Sequence, residues 1–81
     1  MLKIYGSMLC KDCIACREDL DRAGVKYEFL DFADVLAARK FFFAMRDRVP
    51  VFDLAKENGA IGIPCIVDDQ GNVMLNWEQY M

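Results

Sequence analysis

Three of the four cysteines in this 81-residue chain are crowded into Cys10-Lys11-Asp12-Cys13-Ile14-Ala15-Cys16, and the fourth, Cys65, directly follows Pro64. Sulfurs packed this densely restrict the chain to a disulfide-stapled secreted scaffold, a metal or iron-sulfur centre, or a redox site. The scaffold fits poorly. Met1-Leu2-Lys3-Ile4-Tyr5-Gly6 is a short alternating stretch, not a basic head followed by a long apolar run, and a hydrophobic content of 56% fills a single core unaided. One domain spanning residues 1–81 is therefore expected. No window reaches the roughly 18 consecutive apolar residues of a membrane span, so a soluble cytoplasmic protein with no membrane partner is expected. A net charge of -3, a pI near 4.7 and the lack of any basic tract argue against nucleic acid as a partner. The chain has no histidine, which excludes cysteine-histidine hydrolase chemistry.

The cysteines lie between a strand signal and a helix signal. Leu2 to Gly6 reads as a strand stopped by Gly6-Ser7. From Lys11 to Ala23, Cys13, Ile14, Cys16 and Leu20 recur at helical spacing, and Gly24 stands where a helix-terminating glycine belongs. Val25 to Leu30 alternates as an edge strand, with Val25, Tyr27 and Phe29 on one side. A second helix, capped by Asp31 or Asp34, runs to about Arg48 before Pro50. Its apolar face gathers Val35, Ala38, Phe41, Phe42, Met45 and Val49. Phe43 projects from the opposite, charged sector, either covered by a short helix over Val51 to Asn58 or exposed as a partner contact. Ile61 to Val67 reads as a buried strand carrying Pro64. Asp68 to Asn72 turns the chain into a last strand, Val73 to Leu75, and Asn76 to Met81 is read as one helical turn. The order is βαβαββ with a helical stub.

A Cys-x-x-Cys spacing lets one sulfur attack a disulfide while the other resolves the mixed disulfide that forms. Cys10, at a helix start, meets unpaired backbone N–H groups and the positive end of the helix dipole, which favour thiolate over thiol. Lys11 reinforces that field and Asp12 opposes it. Cys13, one turn in, is placed as the resolving thiol.

At these residues the chain resembles the glutaredoxin-like (glutaredoxin-related) branch of the thioredoxin superfamily. Ile4-Tyr5-Gly6-Ser7-Met8-Leu9-Cys10-Lys11-Asp12-Cys13 is similar to that family's first strand and active-site loop. Gly62-Ile63-Pro64 is similar to its Thr-Val-Pro element, whose proline is cis. The resemblance implies a thioredoxin-like, glutaredoxin-type α/β fold with a four-stranded mixed sheet flanked by helices. It implies a thiol-disulfide oxidoreductase with Cys10 as nucleophile, acting on protein or low-molecular-weight disulfides. Substrate would meet Lys11, Asp12, Pro64 and Ile63, the last through backbone N–H and C=O groups. No tightly bound cofactor is implied, and the reductant would be glutathione or a thioredoxin-reductase-type donor. The chain departs from the family pattern in having Lys11 where a proline is common and Ser7 where many members carry lysine. It also lacks the Gly-Gly segment that cradles glutathione.

Cys16 and Cys65 are read either as small core hydrophobes or as auxiliary thiols that receive the disulfide from Cys13. Two rival functions stay open at this point. All four cysteines could bind zinc or an iron-sulfur cluster, or the fold could serve as a non-catalytic interaction module with Phe43 in its contact surface.

Overall fold

A β-branched and an aromatic residue at adjacent positions, Ile4 and Tyr5, favour an extended chain buried on both faces, and Leu2–Gly6 forms the inner strand β1 accordingly. In the computed structural model, which describes residues 1–81, β1 is followed by α1 (Lys11–Arg22), β2 (Tyr27–Asp31), α2 (Leu36–Arg48) and a 3-10 turn at Pro50–Phe52. Then come α3 (Asp53–Glu57), β3 (Cys65–Val67), β4 (Val73–Met74) and a final 3-10 turn at Glu78–Tyr80. The sheet is mixed, with strand order β2-β1-β3-β4. β1 runs parallel to β2, with Ile4 beside Phe29, and antiparallel to β3, with Tyr5 opposite Cys65; β3 and β4 are antiparallel.

The period of two along a strand divides the core. Ile4 and Ile66, paired across the ladder, face α1 and pack with Cys16 and Leu20. Tyr5 and Cys65, the next pair, face α2 and pack with Ala38, Phe42, Met45 and Phe52. Trp77 and Tyr80 close the α1 side, with the indole Nε1 donating to the Asp19 carboxylate at 3.0 Å. No helix is long and apolar enough to cross a membrane.

Local signals account for most boundaries. Gly24 adopts φ +74 after α1, its N–H donating to the Asp21 carbonyl at 3.1 Å while that of Val25 donates to the Leu20 carbonyl at 3.0 Å. This is the two-bond closure of a glycine-terminated helix. Because Val25 is spent on that closure, β2 begins at Tyr27, two residues later than its alternation suggests.

Two expectations need correcting, and the alternative left open at Phe43 is decided. Neither Asp31 nor Asp34 caps α2; Val35 stands at its N-cap with no side-chain bond, and Asp31 instead accepts the N–H groups of Ala33 (2.8 Å) and Met8 (3.3 Å). The buried stripe of α2 is narrower than its apolar face. Ala38, Phe42 and Met45 fill the space over Tyr5 and Cys65, which leaves Val35 beyond the edge and Phe41 stacked on the Tyr5 ring at the rim. The short helix after Pro50 does form, but Phe43 stays 40% exposed, leaning on Phe42 and Phe32, because Phe52 inserts against Phe42 instead.

Candidate functional site

Where β1 ends, the chain leaves the sheet through Ser7, Met8 and Leu9 and enters α1 at Cys10. Cys10 is the N-cap, with extended dihedrals (φ -94, ψ 125), and its carbonyl accepts the Ile14 N–H at 3.1 Å. Its own N–H donates to the Ser7 carbonyl at 3.1 Å, so the loop is a tight turn and presents a partly exposed Cys10 side chain. That sulfur makes no cap bond to the helix N–H groups. Lys11 and Asp12 occupy the exposed first turn of α1.

Neighbouring elements hold the loop in place. The Arg17 guanidinium lies 4.7 Å over the Phe29 ring, donates to the Tyr27 hydroxyl at 3.3 Å, and reaches the Met8 sulfur at 3.1 Å. The Tyr27 hydroxyl in turn donates to Asp21 at 2.8 Å. On the other side Asp31 takes the Met8 N–H, and the Phe32 N–H donates to the Gly6 carbonyl at 2.9 Å.

Cys13 lies beneath Cys10 with no exposed surface. Burial pushes its thiol up to about 12; the Ser7 backbone N–H opposes this, while the hydrogen bond to the Cys10 sulfur and the nearby Cys10 and Cys16 add to it. Cys13 is thus held in its thiol form beneath the exposed loop. Space for its sulfur comes from Gly6, where a Cβ would stand 2.6 Å from Cys13 Sγ.

Pro64 stands at the end of the ladder. Tyr5 pairs with Cys65 as its last pair, so Pro64 immediately precedes that pair on one strand while Gly6, against which the Cys13 sulfur lies, follows it on the other. Pro64 is buried and the Ile63-Pro64 peptide bond is cis, as expected. The strand is shorter than its apolar run. Ile61 to Pro64 stay outside the ladder, with Gly62 at φ +95 against the Phe52 ring, and the N–H and C=O of Ile63 have no partner within the chain.

The remaining cysteines are kept apart. Cys16 faces the α1 core and Cys65 the α2 core, so the sheet separates them. Burial raises Cys65 to about 12, and burial together with the Asp19 carboxylate raises Cys16 to about 11. No three cysteine or carboxylate side chains are gathered where they could share a metal ion, so the convergence that a four-cysteine centre requires is missing. All four thiols are free.

Sequence reasoning missed three contributors. Gly6 reads only as a strand stop and Arg17 carries no signal at all, because their contacts with Cys13 and Met8 need the third dimension. Arg46 reads as part of a solvated face, yet its guanidinium donates to the carbonyls of Ala60 and Ile61 at 2.7 Å each.

No family profile matches the chain, and no solved structure matches it. A protein of Haemophilus influenzae, named only as an uncharacterized protein, is 36% identical over 73 residues, which cover 90% of this chain and 85% of that one.

Proposed function

The chain belongs to one family with that Haemophilus influenzae protein, and for its site we propose dithiol thiol-disulfide exchange on a glutaredoxin-type, thioredoxin-like scaffold. The observation that carries the reading is a partly exposed Cys10 at the start of α1 with a fully buried Cys13 one turn further in. In the forward half-reaction the Cys10 thiolate attacks a substrate sulfur, the substrate S–S bond breaks and the first thiolate leaves. Cys13 then gives up its proton and attacks Cys10, the second substrate thiolate leaves and takes a proton, and a Cys10–Cys13 disulfide remains. The substrate gains the two electrons that the protein loses. Glutathione or a thioredoxin-reductase-type donor restores the dithiol, and no bound cofactor takes part. Lys11 and Asp12 flank the attacking sulfur, and Phe43 offers an aromatic contact for a protein substrate. Reduction of disulfides suits a reducing compartment, and a cytoplasmic location is part of this proposal.

Disulfide reduction is to be followed with glutathione and its reductase beside thioredoxin reductase, using wild type, Cys10→Ser and Cys13→Ser. Turnover with at least one donor, its loss in Cys10→Ser, and a trapped mixed disulfide in Cys13→Ser are expected. Absence of wild-type turnover with both donors refutes the assignment.

A further inference from the structure

The segment that carries Ile63 and Pro64 toward the cysteines is almost without internal support. The Ala60 N–H closes α3 on the Ala55 carbonyl at 2.8 Å, after which Ile61, Gly62 and Ile63 donate no backbone hydrogen bond until β3 begins. The hydrogen bonds that hold this stretch come from Arg46, whose Nε meets the Ile61 carbonyl and whose Nη2 meets the Ala60 carbonyl, both at 2.7 Å. Arg46 enters no ion pair, so its fork is committed to these two carbonyls. A planar guanidinium gripping consecutive carbonyls fixes direction as well as distance, which a lysine cannot do. Two residues past the grip, Ile63 presents an unpaired donor and an unpaired acceptor, next to the proline that precedes Cys65, the partner of Tyr5, whose neighbour Gly6 meets the Cys13 sulfur.

Taking the thiol-disulfide reading as its basis, we propose that Arg46 is a positioning and specificity-determining residue. By anchoring the 60–64 segment to α2, it aims the free main-chain groups of Ile63 at the backbone of an extended polypeptide. The site therefore selects cysteines carried on a polypeptide over small disulfides that have no main chain to pair.

The test uses pre-reduced full-length protein and two mixed disulfides with the same aromatic leaving group, 5-thio-2-nitrobenzoate. One is built on a short extended peptide and the other on 2-mercaptoethanol. In each, Cys10 attacks the non-aromatic sulfur, the coloured thiolate leaves, and Cys13 releases the second thiol, so the chemistry is shared and only the main chain differs. Saturating single-turnover kinetics separate binding from maximal rate. Arg46→Met is expected to weaken apparent binding of the peptide substrate about tenfold, near the low end for one lost charge-assisted hydrogen bond, because the bonds lost position the segment and do not touch the substrate. Its reaction with the 2-mercaptoethanol substrate stays at the wild-type rate. Arg46→Lys, which keeps the charge and one donor and serves alone if Arg46→Met does not fold, falls between the two. Equal losses on both substrates, or no loss on either, overturn the proposal. A wild-type protein that attacks neither substrate overturns the oxidoreductase reading, a separate result that removes this one with it.

Discussion

Gly6→Ala tests the close approach on which the site is built. The added methyl would stand 2.6 Å from Cys13 Sγ and 3.5 Å from the Phe29 ring. Ordinary contacts between such atoms begin near about 3.5 Å, so the sulfur must retreat by roughly 1 Å. Cys13 has no exposed side to retreat into, and the backbone of β1 is held by ladders on both edges. Overpacking of this kind costs about 1–3 kcal/mol, and at about 4–8 °C per kcal/mol for a domain of this size it lowers Tm accordingly. Equilibrium urea unfolding under reducing conditions measures the cost. A double-mutant cycle with Cys13→Ala then isolates its cause, because deleting the sulfur vacates the space the methyl would take. The expected result is a substantial loss in the wild-type background and a loss near zero in the Cys13→Ala background. Should the two losses agree within about 0.3 kcal/mol, the sites are independent and the packing argument is refuted.

Two further outcomes follow from the same geometry. Burial raises the thiols of Cys13, Cys16 and Cys65 from an ordinary 9.0 to about 12, 11 and 12, so above pH 9 the unfolded chain releases protons that the folded chain retains. Their stabilising contribution is complete below that pH and is lost on the way to the folded values, at up to about 1.4 kcal/mol per pH unit for each thiol. The urea midpoint should therefore fall in alkali, and less steeply in Cys65→Ala; identical slopes would contradict the assignment. The second outcome concerns which sulfurs react. Native protein at neutral pH should be alkylated at Cys10 alone, and mass mapping after mild oxidation should find Cys10 joined to Cys13 and to nothing else, since the sheet stands between Cys16 and Cys65. A disulfide involving Cys16 or Cys65 would instead support their reading as auxiliary thiols.

The parts of the fold legible in the sequence are those fixed by short-range rules. The strand from Leu2 to Gly6, the helix from Lys11 closed by Gly24, and the two α2 residues Phe42 and Met45 all follow from periodicity and termination chemistry. What periodicity cannot supply is the width of the cleft a helix must fill. Phe41 and Val35 share the apolar arc of α2 but lie outside the gap over Tyr5 and Cys65, so they remain exposed. Ile61 to Pro64 misled in the opposite direction, because an apolar run suits both a buried strand and a segment gripped from outside by an arginine 14 or 15 residues earlier. In the site itself, Cys10 and Cys13 announce themselves by spacing, and Pro64 by the resemblance of Gly62-Ile63-Pro64 to a Thr-Val-Pro element. The residues that hold them, Gly6, Arg17, Asp31 and Arg46, act across distances that no local pattern encodes.

The central position of β1 has a consequence for how the site can move. Three consecutive residues of one strand serve three masters: Ile4 faces one core, Tyr5 the other, and Gly6 the Cys13 sulfur. Excursions that fray termini, edge strands or loops leave such a strand untouched, and only opening of the whole domain exposes it. The wall behind the buried thiol is thus the most protected strand of the fold, whereas the thiol itself sits in the first turn of α1. A reagent other than Cys10 reaches Cys13 only when that turn lifts off Gly6, so the rate of such a reaction reads the stability of the α1 start against β1.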